Sequence, residues 1–293
     1  MSAVLVLNVL WQVGVLAAVA LGLAVVFGQL RIMNMAHGEF VMIGAYAPVI
    51  TAAAGLPAWC QLPVCLASVA VVALVLERTV VRHFYGRLFD SLLATWGVSI
   101  VLREGVALVF GRGYQSVPLP IGGTVSVFGA DYPAYRLAAL AAVGFFFVGF
   151  AVWMVRSPVA MHLRAMVENP DLARGIGLDT DRLACNAFVF GCCTAGLAGL
   201  MLAPTVPVEP LMGLDYLIRA FFALVIGGLG SLEGLAVGAT VIAGTQSVVG
   251  GVFDQTAGYF VVLGLSVYFL WWRPDGLCAP GRRRARRRAA RRS

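Results

Sequence analysis

The sequence has 293 residues, of which 60% are hydrophobic and only 12% are charged. Soluble domains carry about 25% charged residues, so a chain this apolar cannot cover a water-exposed surface, and the composition predicts an all-α polytopic membrane protein. The formal net charge of +7 comes from an arginine-rich stretch at 282–292, which holds 8 of the 21 basic residues, and this uneven distribution argues against a nucleic-acid-binding surface.

This charge distribution also predicts the domain organisation. Without the 282–292 stretch, 13 basic residues face 14 acidic ones, so the remaining chain is close to neutral. We expect a single transmembrane domain over residues 1–278, followed by an Arg-rich cytoplasmic tail over 279–293 that contacts anionic lipid headgroups.

Two residue types limit the chemistry of the chain. All 21 basic residues are arginine, and without lysine the chain cannot form a Walker A loop. Any ATP that drives the protein would therefore be hydrolysed by a partner subunit, and we expect no cofactor in this chain. The six cysteines form no CxxC pair, so we expect neither a metal site nor a disulfide framework.

Apolar runs follow one another along the chain and predict about eight or nine transmembrane helices. Several runs are shorter than the roughly 20 residues that a perpendicular span requires, which predicts broken or re-entrant segments. The runs lie at 4–27, 38–54, 58–76, 91–110, 136–155, 183–203, 217–231, 234–252 and 256–272.

Arginine placement predicts the orientation of these helices. Segments 77–87 and 156–182 are rich in arginine and are separated by two runs, and four more runs separate the second segment from the tail. All three therefore fall on one side, which the positive-inside rule makes cytoplasmic. The loops at 111–135 and 204–215 are then external, and the N-terminus is external if all nine runs span.

A polar break at residues 28–40 lies between the first two apolar runs. It carries Asn34, His37, Gly38 and Glu39, and such a break is costly in a membrane unless protein or a water-filled cavity satisfies it. These residues either line or gate a pathway, or they pair with one another to hold a bend. We favour a gating or structural role over direct substrate contact, because the orientation places the break near the cytoplasmic side. The sequence gives little support for an acid–base catalytic role, since one histidine and one glutamate form neither an HExxH site nor a triad.

A similar pattern recurs near the end of the chain. Gly228, Gly230 and Glu233 interrupt two apolar runs, as in the first break. Paired helix breaks are typical of transport pathways, so we predict a second gate segment here, with chance similarity of two glycine-rich stretches as the alternative.

Segment 161–179 contains a predicted short helix. Asn169 is a good N-cap, Pro170 suits the first helical position, and Asp171 and Arg174 complement the helix dipole at its two ends. Gly175 and Gly177 then end the helix. Such an element either docks into a partner or is an ordinary capped loop helix.

Several motifs in chain order resemble the ABC importer permeases for branched-chain amino acids. The first motif comprises 34–40 and Gly44-Ala45-Tyr46, and the second comprises Arg164-Ala165, Asn169-Pro170 and 173–177. The other three motifs lie at 195–199, 227–231 and 273–277. The matches extend over nearly the whole chain, although the Arg-rich tail is outside the family pattern and loop 111–135 matches loosely. Residues 77–87 and 92–97 also resemble the urea and short-amide branch, whereas 212–216 resemble the amino-acid branch.

The resemblance implies a non-catalytic permease subunit in the bacterial inner membrane. Its implied partners are one or two ATPase subunits, a second permease subunit in a hetero- or homodimer, and an external or periplasmic substrate-binding protein. The resemblance also assigns ATPase coupling to Arg164, Ala165, Glu168, Asn169, Pro170, Asp171, Ala173, Arg174, Gly175 and Gly177. The substrate stays open between branched-chain amino acids and urea or short amides. A channel or secondary transporter for a small neutral solute, and an intramembrane enzyme, are lower-ranked alternatives.

Overall fold

The computed structural model describes residues 3–30, 32–127, 129–228, 231–273 and 276–278. Eleven α-helices lie in this part of the chain, and most of the described residues are helical. The helices are α1 (Ala3–Leu30), α2 (His37–Ala53), α3 (Gln61–Thr79), α4 (Leu88–Phe110), α5 (Ala134–Arg156), α6 (Pro158–Glu168), α7 (Pro170–Gly175), α8 (Thr180–Leu202), α9 (Met212–Gly227), α10 (Leu232–Val252) and α11 (Gln255–Trp272).

Nine of these helices coincide with the nine predicted apolar runs, which confirms an all-α multi-pass membrane protein. By length and composition, 6 helices of the described chain can cross a membrane: α1, α3, α4, α5, α8 and α10. Helices α2 and α9 have only 17 and 16 residues. At 1.5 Å per residue they are about 26 and 24 Å long, which is short of a hydrocarbon core of about 30 Å.

A β-hairpin is the exception to the helical fold within the described residues. Strand β1 (Thr124–Val127) pairs antiparallel with β2 (Ala130–Pro133), with Thr124 opposite Pro133. The hairpin belongs to loop 111–135, which the sequence predicts only as an external loop.

Loop contacts show which segments share an end of the bundle. At one end, Gln115 and Val208 exchange two backbone hydrogen bonds of 2.8 and 2.9 Å, joining the two loops that are predicted to be external. At the other end, the Tyr85 hydroxyl donates to the Glu77 carboxylate at 2.8 Å, and Cys185, near the start of α8, interacts electrostatically with Glu77, Arg78 and Arg82. The arginine-rich segments therefore meet at one end, as the parity of the runs predicts.

Helix α1 is the centre of the bundle. In an apolar stretch of 18 residues taken from each helix, 67% of the stretch is buried in α1, against 17% in α3, α4 and α5. These three helices are therefore peripheral. Helices α2 and α8 pack closely because Gly199 has no side chain: a Cβ there would overlap the Val41 carbonyl of α2. The missing side chain at Gly199 thus serves helix packing inside this chain.

Candidate functional site

The chain turns back into the bundle after α1. Helix α1 ends at Leu30, the described chain resumes at Ile32, and α2 begins at His37. His37 Nε2 lies 3.1 Å from the carbonyl oxygen of Val19, eleven residues before the end of α1. Eleven helical residues span about 16 Å, so residues 32–36 run back along α1 and α2 starts in the interior. Arg31, which the sequence places in this break, is outside the described residues.

The hydrogen bond of His37 fixes the tautomer of the neutral ring. A carbonyl oxygen can only accept, so Nε2 carries the proton and donates it to Val19. The other ring nitrogen, Nδ1, is left as an acceptor. His37 has no solvent-exposed surface, so this acceptor faces the protein interior.

A stripe of hydroxyl groups on α4 satisfies the backbone of the break. Ser91, Thr95 and Ser99 follow each other at four-residue spacing and are the buried residues of this helix. Ser91 Oγ accepts from the Met33 N–H at 3.2 Å, and Thr95 Oγ1 accepts from the Met35 N–H at 3.0 Å. Helix α4 therefore turns its polar face inward and its apolar faces outward, the arrangement expected for a helix in lipid.

Ser99 is also the hydrogen-bond partner of the glutamate in the break. Its hydroxyl donates to Glu39 Oε1 at 2.7 Å, and Glu39 is only 2% exposed. The positive charge of Arg103, one turn further along α4, also acts on this carboxylate. The second carboxylate oxygen, Oε2, has no partner among the described residues.

Four buried side-chain atoms of the described chain lack a hydrogen-bond partner, and all four belong to residues 34–46. They are Asn34 Nδ2, His37 Nδ1, Glu39 Oε2 and Tyr46 Oη. An unsatisfied buried polar group costs about 1–3 kcal/mol, and native proteins hold few of them. The four atoms include donors and acceptors, so each can hydrogen-bond to water or to a polar solute. Asn34, His37, Gly38 and Glu39, around the start of α2, form the interior cluster.

Gly38 brings a third helix to this cluster. A Cβ on Gly38 would overlap the carbonyl of Gly213 in the first turn of α9, and the reverse contact is equally close. The first turns of α2 and α9 therefore touch through their backbones. Only glycine at both positions permits this approach.

The second predicted gate segment lies in a different part of the bundle. Gly228 follows α9 and Glu233 is in the first turn of α10, whereas Gly230 is outside the described residues. Gly213 and Gly227 are separated by about 21 Å along α9, so the two predicted gate segments are not brought together.

A C-terminal segment occupies this second break. The N–H groups of Leu277 and Cys278 donate to the carbonyls of Ile226 and Gly227 at 2.8 and 3.0 Å. These carbonyls end α9 and have no partner within the helix. Residues 276–278 thus complete the α9–α10 turn.

The segment predicted to couple to an ATPase folds as two short helices. Asn169 Oδ1 accepts from the Leu172 N–H at 3.0 Å, and Pro170 takes the first position of α7, which confirms the predicted cap. Gly177 follows with a φ of 88°, a backbone conformation that favours glycine. Helix α6, which precedes the cap, is not predicted by the sequence reading.

Most of the predicted coupling residues are at the surface. Ala173 is buried at 2% exposure and Ala165 is half-buried, whereas the other eight are exposed. Arg174 donates to the Thr180 hydroxyl at 2.9 Å and lies 3.8 Å from Asp181, which ties α7 to the start of α8. Ala173 faces inward, so α7 has a fixed inner side and a free outer side.

The outer side of α7 and the C-cap residue that follows it carry apolar side chains that the sequence pattern does not predict. Leu172 and Ile176 are 64% and 69% exposed and are four residues apart. The signal that could have found them is this spacing on a charged helix. The hydroxyl stripe of α4 was missed for a similar reason: its four-residue period lies in a run that reads as apolar.

Comparisons with known proteins agree on one family. A family model described as branched-chain amino acid transport system / permease component matches residues 5–270. The high-affinity branched-chain amino acid transport system permease protein BraD of Pseudomonas aeruginosa is 28% identical, over 89% of this chain and 90% of BraD. The corresponding protein LivH of Escherichia coli is 25% identical over the same shares.

A solved structure shares the fold at low identity. One chain of PsaBC from Streptococcus pneumoniae, solved in complex with Fab, matches with a TM-score of 0.51 and 13% identity. The match covers 95% of this chain and 93% of that chain. At this identity the likeness is one of fold alone.

Proposed function

Because this chain belongs to the permease-component family of branched-chain amino acid transport systems, we propose that it forms the membrane-spanning passage of an ABC importer for these amino acids. Membership in the family makes it a multi-pass transport subunit and not an enzyme. The ATPase and the other components of such a system are separate chains, which is consistent with the absence of lysine for a Walker A loop.

The observation that carries the coupling role is the exposed face of α7. Leu172 and Ile176 form an apolar centre, and Asp171 and Arg174 lie at its charged rim. Apolar anchors inside a polar rim are the usual energetic layout of a docking surface. We propose that this face, with its flanks in 161–179, seats in a cleft of the ATPase. Closure of the ATPase would then move α7 and bias the bundle between outward- and inward-open states.

The proposed partners follow from the importer architecture. They are one or two ATPase subunits, a second permease subunit in a hetero- or homodimer, and an external substrate-binding protein. We place the complex in the bacterial inner membrane with the C-terminus cytoplasmic, on the positive-inside rule. Separate curated relatives named LivH and LivM in Escherichia coli both match this chain, at 25% and 26% identity, which favours a pair of related permease chains.

We further propose that the interior cluster of Asn34, His37, Gly38 and Glu39 gates the passage. Its unpartnered polar atoms support this role, because water or a passing polar solute can satisfy them. The backbone contact between Gly38 and Gly213 links the interior cluster to α9, so a shift of α9 would displace the start of α2. A gate at Gly228 and Glu233 stays a prediction; docking of residues 276–278 there favours a structural turn.

The decisive experiment is transport by the complete complex in proteoliposomes. The permease, its ATPase and its binding protein are reconstituted together, and uptake of L-leucine and of urea is compared with and without ATP. We expect ATP-dependent leucine uptake. Urea uptake would move the chain to the amide branch, and uptake that follows an ion gradient without ATP would identify a secondary transporter.

Two variants test the coupling face in the same preparation. Replacing Leu172 and Ile176 together by serine removes the apolar anchors, and we expect ATPase binding and transport to fall about tenfold or more. Val159→Ser is the matched control, because Val159 on α6 is also exposed (46%) and lies outside 161–179. Normal ATPase binding by the double variant would refute the coupling assignment.

A further inference from the structure

A second polar site lies at the end of the bundle that holds the start of α1. A cavity of about 270 Å³ opens there between α1, α5, α10 and α11. Pockets for drug-sized ligands measure about 300–1,000 Å³, so this one fits a smaller molecule. Its polar lining residues are Asn8, Gln12, Arg136, Gln246, Ser247 and Gln255. This end is the external one in the proposed orientation, and the cavity is separate from the Asn34–Glu39 cluster.

Arg136 is the charged residue that lines the cavity. Its guanidinium lies over the ring of Trp11 at 5.7 Å and donates from one nitrogen to Asn8 Oδ1 at 3.2 Å. It forms no ion pair with a carboxylate of the described residues, although five ion pairs are found elsewhere in that part of the chain. A guanidinium has five N–H donors, so most of them are left for a ligand.

The two arginines near the cavity fix the direction of two amide side chains. Arginine only donates, so the atom facing it must be the amide oxygen. Asn8 therefore turns Oδ1 to Arg136, and the Tyr132 hydroxyl donates to the same oxygen. Gln246, which is 8% exposed, turns Oε1 to Arg219 at 3.3 Å. Each amide then has its NH2 group left as a donor.

The cavity is consequently rich in donors and carries no acidic side chain in its lining. Guanidinium and amide NH2 groups together are the donors that bind a carboxylate, with Arg supplying the charge. The cavity also contains Gly250 and Gly251 of the last turn of α10, where carbonyls lack helical partners and the helix dipole favours a cation. The lining of this one small cavity thus offers both donors and acceptors.

We propose that this cavity binds a small free amino acid, with its carboxylate on Arg136, Asn8 and Gln246 and its ammonium at the end of α10. The side chain of the ligand rests on Leu5 and Trp11, which form the apolar part of the lining. The proposal rests on the proposed function in one respect: it makes the cavity an entry site for the amino acid that the permease carries.

The first test uses the unaltered full chain, purified with its permease and ATPase partners but without the substrate-binding protein, and a ligand series. L-Leucine has both charged groups, L-leucinamide lacks the carboxylate, and 4-methylpentanoate lacks the ammonium. Equilibrium binding should be at least tenfold tighter for leucine than for leucinamide, because hydrogen bonds to a charged group are worth that much or more. Equal affinity for leucine and leucinamide would overturn the proposal.

Two variants locate the site. Arg136→Gln should abolish the preference for leucine over leucinamide. Gln246→Glu keeps the size of the side chain and the acceptor for Arg219 but replaces a donor by a carboxylate, so leucine binding should fall about tenfold while leucinamide binding does not fall. Arg112→Gln is the control, since Arg112 lies in loop 111–135, which leads into α5, and it is absent from the cavity lining and pairs with Glu104 at 2.6 Å. If the Arg136 variant fails to assemble, the Gln246 variant and the ligand series decide.

These results separate the cavity from the transport function. If the complex transports leucine and both variants still bind leucine more tightly than leucinamide, the proposed binding site is refuted and the permease function stands. If both variants abolish the preference for leucine over leucinamide but the complex transports urea and not leucine, the binding site is supported and the proposed transport substrate is refuted.

Discussion

The cap of α7 gives the sharpest prediction. Replacing Asn169 by alanine removes the acceptor of the Leu172 N–H, and the loss of such an N-cap costs about 1 kcal/mol, within a range of roughly 0.5–2. Helix α7 has only six residues, so it depends on its cap more than a long helix does. A cost of about 1 kcal/mol lowers the ratio of formed to unformed helix about fivefold.

If the ATPase binds α7 as a formed helix, this loss lowers ATPase affinity by up to the same factor, the full amount applying where the free helix is mostly unformed. Asn169→Ala should therefore weaken ATPase binding by up to about fivefold and speed hydrogen exchange at the first turn of α7. Asn169→Ser is the matched control, because a serine hydroxyl also caps. Equal ATPase affinity of the alanine and serine variants would refute the reasoning, whatever the transport rate.

Three further predictions concern packing and hydrogen bonding. Ser99→Ala removes the partner of Glu39 and should lower the thermal unfolding midpoint; in the Glu39→Gln background its effect should shrink, because the two residues act as a pair. Gly199→Ala should prevent stable folding because its Cβ overlaps backbone, whereas Gly97→Ala, which meets open space, should change the midpoint little. Burial and the hydrogen bond to a buried glutamate raise the pKa of Tyr85. The stability that the Tyr85 hydroxyl contributes is therefore fully present below the unfolded pKa of about 10 and is lost as the pH rises further. The difference in unfolding free energy between Tyr85→Phe and the unaltered chain should be constant near neutral pH and shrink at alkaline pH. A difference that grows at alkaline pH would contradict this sign.

The long helices and the cap of α7 could be predicted because their signals are local. Apolar runs mark all nine long helices, and the Asn169-Pro170 pair marks the start of α7 within two residues. Membership in the permease family is likewise carried by short motifs spread along the chain.

The arrangement of the interior cluster could not be predicted, because it depends on partners far apart in sequence. Ser99 lies 60 residues from Glu39, and Thr95 lies 60 residues from Met35. Periodicity shows that α4 has a hydroxyl face but not which segment that face contacts. The sequence also gives no sign that residues 32–36 turn back along α1. The sequence therefore predicts that the break lies near the cytoplasmic side, whereas in the structure α2 begins in the interior of the bundle.

The cavity beside Arg136 was missed for a related reason. Its donors come from four helices, and the directions of two amides, Asn8 and Gln246, are each fixed by an arginine on another helix. A single arginine near the start of an apolar run reads as a topology signal, and its role as a ligand group emerges only from the assembled bundle.

The hydrogen bonds of residues 276–278 bear on the order in which the protein is built. Ile226 and Gly227 leave the ribosome about fifty residues before the N–H groups that cap them. Throughout that interval the end of α9 must rely on water or insertion machinery for its two carbonyls. The α9–α10 turn therefore becomes complete only after α11, the last helix of the described chain, has been synthesised.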